Sequence, residues 1–177
     1  MNLAPYLPEL PPWEQFLQTK HVLIDADALI TIRLYEAEVL LERMKEIEVT
    51  ICSIHPVYVE ISNTNSKVER INRQLLFSKY IELLPLSEKD YKLAEDIQVW
   101  LSQQKIFTAS PTDLYLGGKL AFYRHNNIFL LTGNISDFPY PLFERVSGII
   151  LQKFNQSKLL HLLKFNHSFL QSSANSQ

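Results

Sequence analysis

Short apolar runs alternate along the chain with longer segments in which apolar residues recur every three or four positions. The first run, residues 21–25, contains Val, Leu and Ile and ends on an acid, which is typical of a buried strand. Residues 29–44 then have helical spacing. Such alternation predicts a parallel sheet with helices on both faces and right-handed crossovers. The expected fold class is therefore α/β, with three α/β/α layers and a mostly parallel central sheet.

The positions of the apolar segments and of the helix-capping residues support this order of elements. Strands are predicted at 21–25, 49–54, 81–86, 128–132 and 148–151, and the last of these is expected to end the sheet. Ser87 with Asp90, and Ser110 with Asp113, have the spacing of capping boxes, so each pair predicts the start of a helix.

Three segments divide the 177 residues, a length that suits one domain with a substantial core. Residues 1–20 hold four of the nine prolines and are expected to form an arm, either packed as a brace or free to bind a partner. Residues 21–154 form the α/β domain. Residues 155–177 are expected to be a basic C-terminal helix followed by a loose tail, because no acidic residue follows Glu144.

Composition excludes several classes of protein. The 17 Lys and Arg against 19 Asp and Glu leave a net charge of −2, so nucleic acid must be held by local contacts, for which Lys158 and Lys164 are candidates. The single cysteine, Cys52, forms no internal disulfide and no zinc cluster, which suits a reducing compartment. With no long apolar run, we expect a cytoplasmic protein that does not enter the membrane.

Acidic residues follow the predicted strands. Asp25, Glu60, Asp113 and Asp137 all stand near strand ends or a helix start, and Asp27 lies beside Asp25. Parallel strands bring their carboxyl ends to one edge of the sheet, where these charges would repel one another unless a cation neutralised them. Clustered oxygen ligands suit Mg²⁺ or Mn²⁺, and the sequence therefore predicts a divalent metal site.

Each acid also has a purely structural interpretation. Asp27 could cap a helix, Asp113 could act only in its capping box, and Asn134 and Asp137 could form a turn. Glu60 is harder to explain in this way, because it interrupts the apolar run at 57–61 and is expected to be buried with a partner.

Four segments in order resemble the motifs of a known family. They are residues 22–29, 55–61, 112–121 and 131–138, and they resemble the PIN domain nucleases, which include the VapC-type toxin ribonucleases. The resemblance extends over residues 21–151 and implies a PIN-like fold.

The resemblance also implies an activity, namely hydrolysis of phosphodiester bonds in single-stranded RNA by one or two divalent metals. The catalytic positions it implies are Asp25, Glu60, Asp113 and Asp137, and the metal ligands are the same residues with Asp27. Thr132 and Asn134 stand in the polar strand-end motif of the family and are expected to position the substrate through hydrogen bonds. On the ground of their charge, Lys119 and Arg124 are expected to line a path for the RNA. The partners implied are a short antitoxin protein that covers the acidic edge and a second copy in a homodimer.

Two departures from the family pattern stand out. Asp27 replaces the usual Asn, which adds a negative charge near the metal position. Gly117 and Gly118 replace small residues such as alanine, and because glycine costs about 1 kcal/mol in a helix interior, we expect this helix to pack closely on the sheet.

Two other functions remain open. A strand ending in Asp25-Ala26-Asp27 also begins haloacid-dehalogenase-like phosphatases, where Asp25 would be the nucleophile and Asp27 the general acid. That family needs an acidic pair at a later strand end, and the chain has no acid after Glu144. The other alternative is a PIN-like module that binds RNA or protein without cutting.

Overall fold

Helices and strands alternate as the apolar pattern predicts. The computed structural model describes residues 13–17, 20–106, 109–123 and 128–168, without the side chains of Gln15 and Phe16. The described strands are β1 His21–Ile24, β2 Thr50–Ile54, β3 Glu82–Leu84, β4 Ile128–Thr132, β5 Phe143–Lys153 and β6 Gln156–Phe165. The described α-helices are α1 Trp13–Leu17, α2 Ala26–Leu34, α3 Val39–Glu46, α4 His55–Ser62, α5 Lys67–Tyr80, α6 Glu88–Gln103 and α7 Pro111–Phe122.

The six strands form one sheet in the order β3-β2-β1-β4-β6-β5. β1 is parallel to both β2 and β4, and β3 is parallel to β2, whereas β6 runs antiparallel to β4 and β5. Ile24, the last residue of β1, pairs with Leu131 near the end of β4. The carboxyl ends of β1 and β4 therefore lie side by side, as the sequence predicts.

Two groups of helices cover the sheet. α2 to α5 pack on one another and on β2 and β4, while α6 and α7 pack together, α7 against β4 and β6. The central strand β1 is buried from Val22 to Ile24, as expected for a strand covered on both faces. The prediction of a three-layer α/β/α fold with a mostly parallel sheet is confirmed. None of the described helices is long and apolar enough to cross a membrane.

The end of the chain differs from the prediction. The segment at 148–151 belongs to β5 and is followed by β6, where a basic C-terminal helix was expected. Leu160 and Leu162 lie on one face of β6 and Leu163 on the other, and all three are buried. When leucines are buried on both faces of a segment, the spacing of its apolar residues does not distinguish a strand from a helix. The tail after Ser168 lies outside the described residues.

The N-terminal arm is packed where the structure describes it. Trp13 and Leu17 of α1 are buried, α1 contacts β5, and Glu14 pairs with Arg43 of α3 at 3.0 Å. The brace interpretation therefore holds for residues 13–17. The prolines of the arm lie in residues 1–12, which are outside the described part.

α6 and α7 are held together by a buried ion pair and a glycine. The Lys119 ammonium lies 2.8 Å from Asp90 Oδ2, and Ser87 donates to the same carboxylate through its backbone N–H at 2.6 Å. A Cβ at Gly118 would overlap the backbone carbonyl of Asp90 and lie 3.0 Å from the backbone nitrogen of Ala94. Gly118 therefore packs closely against α6 and not against the sheet, whereas Gly117 packs against Phe143 of β5 in the sheet, as expected.

We expect Gly118→Ala to destabilise the fold by roughly 2 kcal/mol or more, because the methyl group meets backbone atoms that can move only if the helices separate. Gly117→Ala is the matched control. Its methyl group would meet the Phe143 ring at 3.1 Å and Ile97 Cδ1 at 3.2 Å, which are side-chain atoms that can shift. The gain of about 1 kcal/mol in helix propensity should offset that strain. Urea denaturation measures both variants, and equal losses would contradict the packing described.

Candidate active site

Asp25 connects three elements at the carboxyl edge of the sheet. It follows β1, and its backbone N–H donates to the Leu131 carbonyl of β4 at 3.1 Å. Its Oδ1 accepts the Asp27 backbone N–H at 2.7 Å, which makes Asp25 the N-cap of α2. Its Oδ2 accepts a hydrogen bond from the Thr132 hydroxyl. The carboxylate is thus held in place by a strand end and a helix start.

The environment of Asp25 favours its protonated form. Burial raises the pKa of this carboxyl from an ordinary value of 3.8 to about 7, and the nearby charges of Asp113 and Asp27 act in the same direction. The hydrogen bonds from Thr132 and the Asp27 backbone oppose the rise in pKa without cancelling it.

Asp137 lies close to the same charges. It ends a short 3₁₀ turn, Ile135–Asp137, and its Oδ2 accepts the Asn134 side-chain amide at 2.6 Å. Desolvation, and then the charge of Asp113, raise the pKa of Asp137 to about 6, with a further contribution from Asp27. Asp27 and Asp113 therefore act electrostatically on both Asp25 and Asp137, and we call these four residues the acidic cluster.

Asp27 contributes an unpartnered buried oxygen. It is the second residue of α2 and not its cap, so the capping interpretation of Asp27 is wrong and that role belongs to Asp25. Among the described residues Asp27 Oδ2 is buried and has no hydrogen-bond partner. A Cβ at Gly133 would overlap this oxygen and lie 3.2 Å from Asp27 Cγ. Gly133 is not among the site residues predicted from the sequence, although a glycine at a strand end is a signal of close approach.

Asp113 has both of the roles considered for it. Its Oδ2 accepts the Ser110 backbone N–H at 2.7 Å, and Ser110 Oγ accepts the Asp113 backbone N–H, which completes the predicted capping box of α7. The same carboxylate acts on the pKa values of Asp25 and Asp137. Capping therefore fixes the position of this charge at the edge of the sheet.

Glu60 does not join the acidic cluster. It lies on α4 and is exposed, so the expectation that it is buried is wrong. The apolar run around it is a helix whose core-facing residues are Val57 and Ile61, four positions apart. Glu60 is also not among the charges that shift the pKa of Asp25 or Asp137.

The polar residues after β4 hold the acids in place. Thr132 is fully buried, and its hydroxyl donates to Asp25 and accepts the Asn134 backbone N–H at 3.0 Å. Exposed Asn134 caps the 3₁₀ turn and bonds to Asp137. The turn considered for Asn134 and Asp137 is thus present. Thr132 is too deeply buried to touch a substrate, so we assign it the positioning of Asp25.

Lys119, one of the two residues expected to line an RNA path, does not do so. Lys119 is 2% exposed and donates to Asp90 and to the Pro85 carbonyl at 2.6 Å, so the prediction that it contacts RNA is wrong. Its partner Asp90 is distant in sequence, and the periodicity of α7 alone does not reveal the pairing. Arg124 lies outside the described residues.

The donor chemistry suits a hard cation. The acidic cluster offers carboxylate oxygens, which Mg²⁺ and Mn²⁺ prefer. Within the described residues, no three His, Cys, Asp or Glu side chains lie close enough together to hold a metal ion by themselves. Mg²⁺ does not require such a cage, because it usually keeps several waters and binds one or two carboxylates with substrate phosphates. The unpartnered Asp27 oxygen is an available ligand of this kind.

We expect the free energy of unfolding of the cation-free protein to fall between about pH 4 and pH 7 through Asp25. In this range the folded protein keeps a proton on Asp25 that the unfolded chain has released, because the folded pKa is about 7. Asp25→Asn should remove up to about 4 kcal/mol of this fall. Urea denaturation in EDTA at several pH values measures it.

The difference in the free energy of unfolding between wild type and Asp25→Asn isolates the contribution of the Asp25 carboxyl. Glu36 and Glu42 have pKa values lowered by hydrogen bonds from Lys153 and Tyr80, so they contribute the opposite trend with pH, but equally in both proteins. A difference that stays constant over this pH range would contradict the raised pKa of Asp25.

The comparisons agree with this architecture. No protein-family model matches the sequence, and no curated protein matches it. Among solved structures, the chain is similar to the crystal structure of VapBC2 from Rickettsia felis bound to a DNA fragment from their promoter. The TM-score is 0.51 at 16% identity, over 68% of this chain and 93% of that chain. At this identity the likeness concerns the fold alone, and the fold of the chain is PIN-like.

Proposed function

We propose that the acidic cluster hydrolyses phosphodiester bonds of single-stranded RNA with the help of Mg²⁺ or Mn²⁺. The observation that carries the proposal is that Asp27 and Asp113 act electrostatically on both Asp25 and Asp137, near the carboxyl edge of a mostly parallel sheet, where sites of α/β proteins lie. Burial raises the pKa of Asp25 and of Asp137, and the charges of Asp113 and Asp27 add to the rise in both. A cation would relieve the repulsion among these charges, and an RNA phosphate would supply further ligands.

We propose that one or two carboxylates of the acidic cluster hold the ion, together with waters and the RNA phosphate. The candidate ligands are Asp25, Asp27, Asp113 and Asp137. When bound, a divalent cation supplies an activated water and neutralises charge on the phosphate. We leave Glu60 out of this set, because its carboxylate is exposed and acts on neither Asp25 nor Asp137.

Neighbouring residues fix the geometry of these acids. The Thr132 hydroxyl orients Asp25, the Asn134 amide orients Asp137, and the capping box orients Asp113. Gly133 leaves the space that the Asp27 carboxylate occupies. These contacts reduce the freedom of the acids before the substrate arrives, which lowers the cost of assembling the site.

Regulation by a partner protein is a second part of the proposal. The structural neighbour is a VapBC2 complex, and its likeness to this chain in fold supports a toxin-like role held in check by a small antitoxin protein. We propose that such a partner covers the acidic edge. A homodimer and a cytoplasmic location remain predictions from the sequence.

We expect the purified protein to cleave a labelled single-stranded RNA in Mg²⁺ or Mn²⁺ and to lose this activity in EDTA. Asp25→Asn should lower the cleavage rate on the order of a hundredfold or more, because it removes a ligand charge from the reacting site. Asp96→Asn is the matched control, since Asp96 is an exposed acid on α6 outside the acidic cluster. Gel electrophoresis of the products measures all three proteins.

The substrate preference separates the proposed nuclease from the phosphatase alternative. A nuclease should hydrolyse a small phosphate monoester poorly. Rapid monoester hydrolysis, with an acid-stable phosphate on Asp25 and no RNA cleavage, would support the phosphatase instead. RNA binding without any cleavage would support the non-catalytic module.

Mg²⁺ or Mn²⁺ should also raise the Tm of the wild-type protein, since a ligand of the folded state stabilises by mass action. Asp25→Asn should lose most of this increment, and Asp96→Asn should keep it. Without cation, Asp25→Asn should be at least as stable as wild type near neutral pH, because it removes a buried like charge. Thermal denaturation in EDTA and in cation measures both effects.

An equal rise in Tm with cation in wild type and Asp25→Asn would contradict the proposed metal site. Glu60→Gln then tests whether the exposed Glu60 takes part. We expect it to keep the increment, and its loss would return Glu60 to the set of ligands.

A further inference from the structure

The hairpin of β5 and β6 projects past the edge of the sheet that carries the acidic cluster. β6 pairs with β4 only from His161 to Leu163, and His161 lies opposite Thr132, the last residue of β4. Because β6 runs antiparallel to β4, residues 156–160 extend beyond the end of β4, and they pair with β5. A Cβ at Gly133 would lie 3.6 Å from Leu160 Cδ2, so the base of this hairpin borders the site.

The hairpin carries three nitrogen-bearing side chains that interact electrostatically. A Cβ at Gly148 would lie 2.8 Å from an Arg145 guanidinium nitrogen, so the guanidinium reaches across this glycine. Gly148 is the residue that pairs with His161 across the two strands. Burial, and then the charges of Arg145 and Lys158, lower the pKa of His161, so both cations lie within electrostatic reach of the imidazole. We call Arg145, Lys158 and His161 the cationic patch.

The cationic patch has no counter-ion among the described residues. Neither Arg145 nor Lys158 has a carboxylate within ion-pair distance, whereas the nearby Lys153 and Lys164 pair with Glu36 and Glu144. His161 Nδ1 is buried and has no hydrogen-bond partner among the described residues. Two uncompensated cations beside an unpartnered imidazole nitrogen form a surface that an anion would complete.

The tip of the same hairpin presents an aromatic ring. Phe154 lies in the turn between β5 and β6 and is 95% exposed. Lys153 next to it anchors the tip to the end of α2 by donating to the Leu34 carbonyl at 2.9 Å. Exposed aromatic rings combined with cations are typical of surfaces that bind single-stranded nucleic acid, where bases stack on the rings and phosphates contact the cations.

We propose that the cationic patch binds phosphates of single-stranded RNA, that Phe154 stacks on a base, and that the hairpin thereby guides the strand to the acidic cluster. This inference rests on the proposed function, which it deepens by naming the surface that holds the substrate. From the sequence, Lys158 and Lys164 are the cations expected to contact nucleic acid. Lys164 is paired with Glu144, so we replace it by Arg145 in this set. An acidic protein segment is the competing occupant, but it offers no base for Phe154.

Fluorescence anisotropy with a labelled single-stranded RNA tests this in EDTA, where binding is measured without cleavage. Arg145→Gln with Lys158→Gln should weaken binding roughly tenfold near 0.1 M salt and flatten the salt slope by about 1.4, or 0.7 for each lost contact. Phe154→Ala should weaken binding at least about fivefold without changing the salt slope. The matched control is Lys20→Gln with Lys92→Gln, which removes the same charge from residues without ion pairs before β1 and on α6.

The outcomes separate this inference from the proposed function. Wild-type affinity in the Arg145 and Lys158 double variant, or an equal loss in the control, would overturn the cationic patch while leaving metal-dependent cleavage unaffected. Conversely, Asp25→Asn should bind RNA at least as well as wild type in EDTA. If the wild type binds no RNA, the assignment to RNA is wrong. It is also wrong if the wild type binds polyglutamate as tightly as RNA and the double variant loses the affinity for both ligands.

Discussion

The rest of the site depends on one buried carboxylate, that of Asp25. It caps α2, accepts a hydrogen bond from the end of β4 through Thr132, and follows the central strand β1. These contacts set the distance between α2 and β4, and with it the place of Asp27 over Gly133. The Asp25 carboxyl is costly to bury as an ion. Because the same carboxyl makes these contacts, the geometry of the carboxyl edge of the sheet depends on the protonation state of Asp25.

The chain buries a second aspartate in a different way. Asp90 is fully buried, but Lys119 lies 2.8 Å away and the Ser87 cap adds hydrogen bonds, so its charge is compensated. Among the described residues Asp25 has no such cation, and its neighbours Asp27 and Asp113 are acids. A purely structural aspartate would be expected to resemble Asp90. The contrast within one protein favours a functional reason for the charge at the carboxyl edge.

Much of this arrangement was predictable from sequence, because β1 and β4 are apolar runs that end in polar residues and the capping box of Asp113 is local. The remaining features depend on contacts between distant residues. The burial of Lys119 requires Asp90, and the strand at β6 requires cover on both faces of its leucines. The exposure of Glu60 follows from a helix within an apolar run that also suits a strand.

The most direct test of the central claim is the titration of the Asp25 carboxyl carbon by NMR, with and without Mg²⁺. We predict a pKa of about 7 in the cation-free protein and a much lower pKa when Mg²⁺ is present, because the ion replaces the proton as the partner of the acidic cluster. An ordinary pKa near 4 in the absence of cation, or a curve that Mg²⁺ does not move, would contradict it.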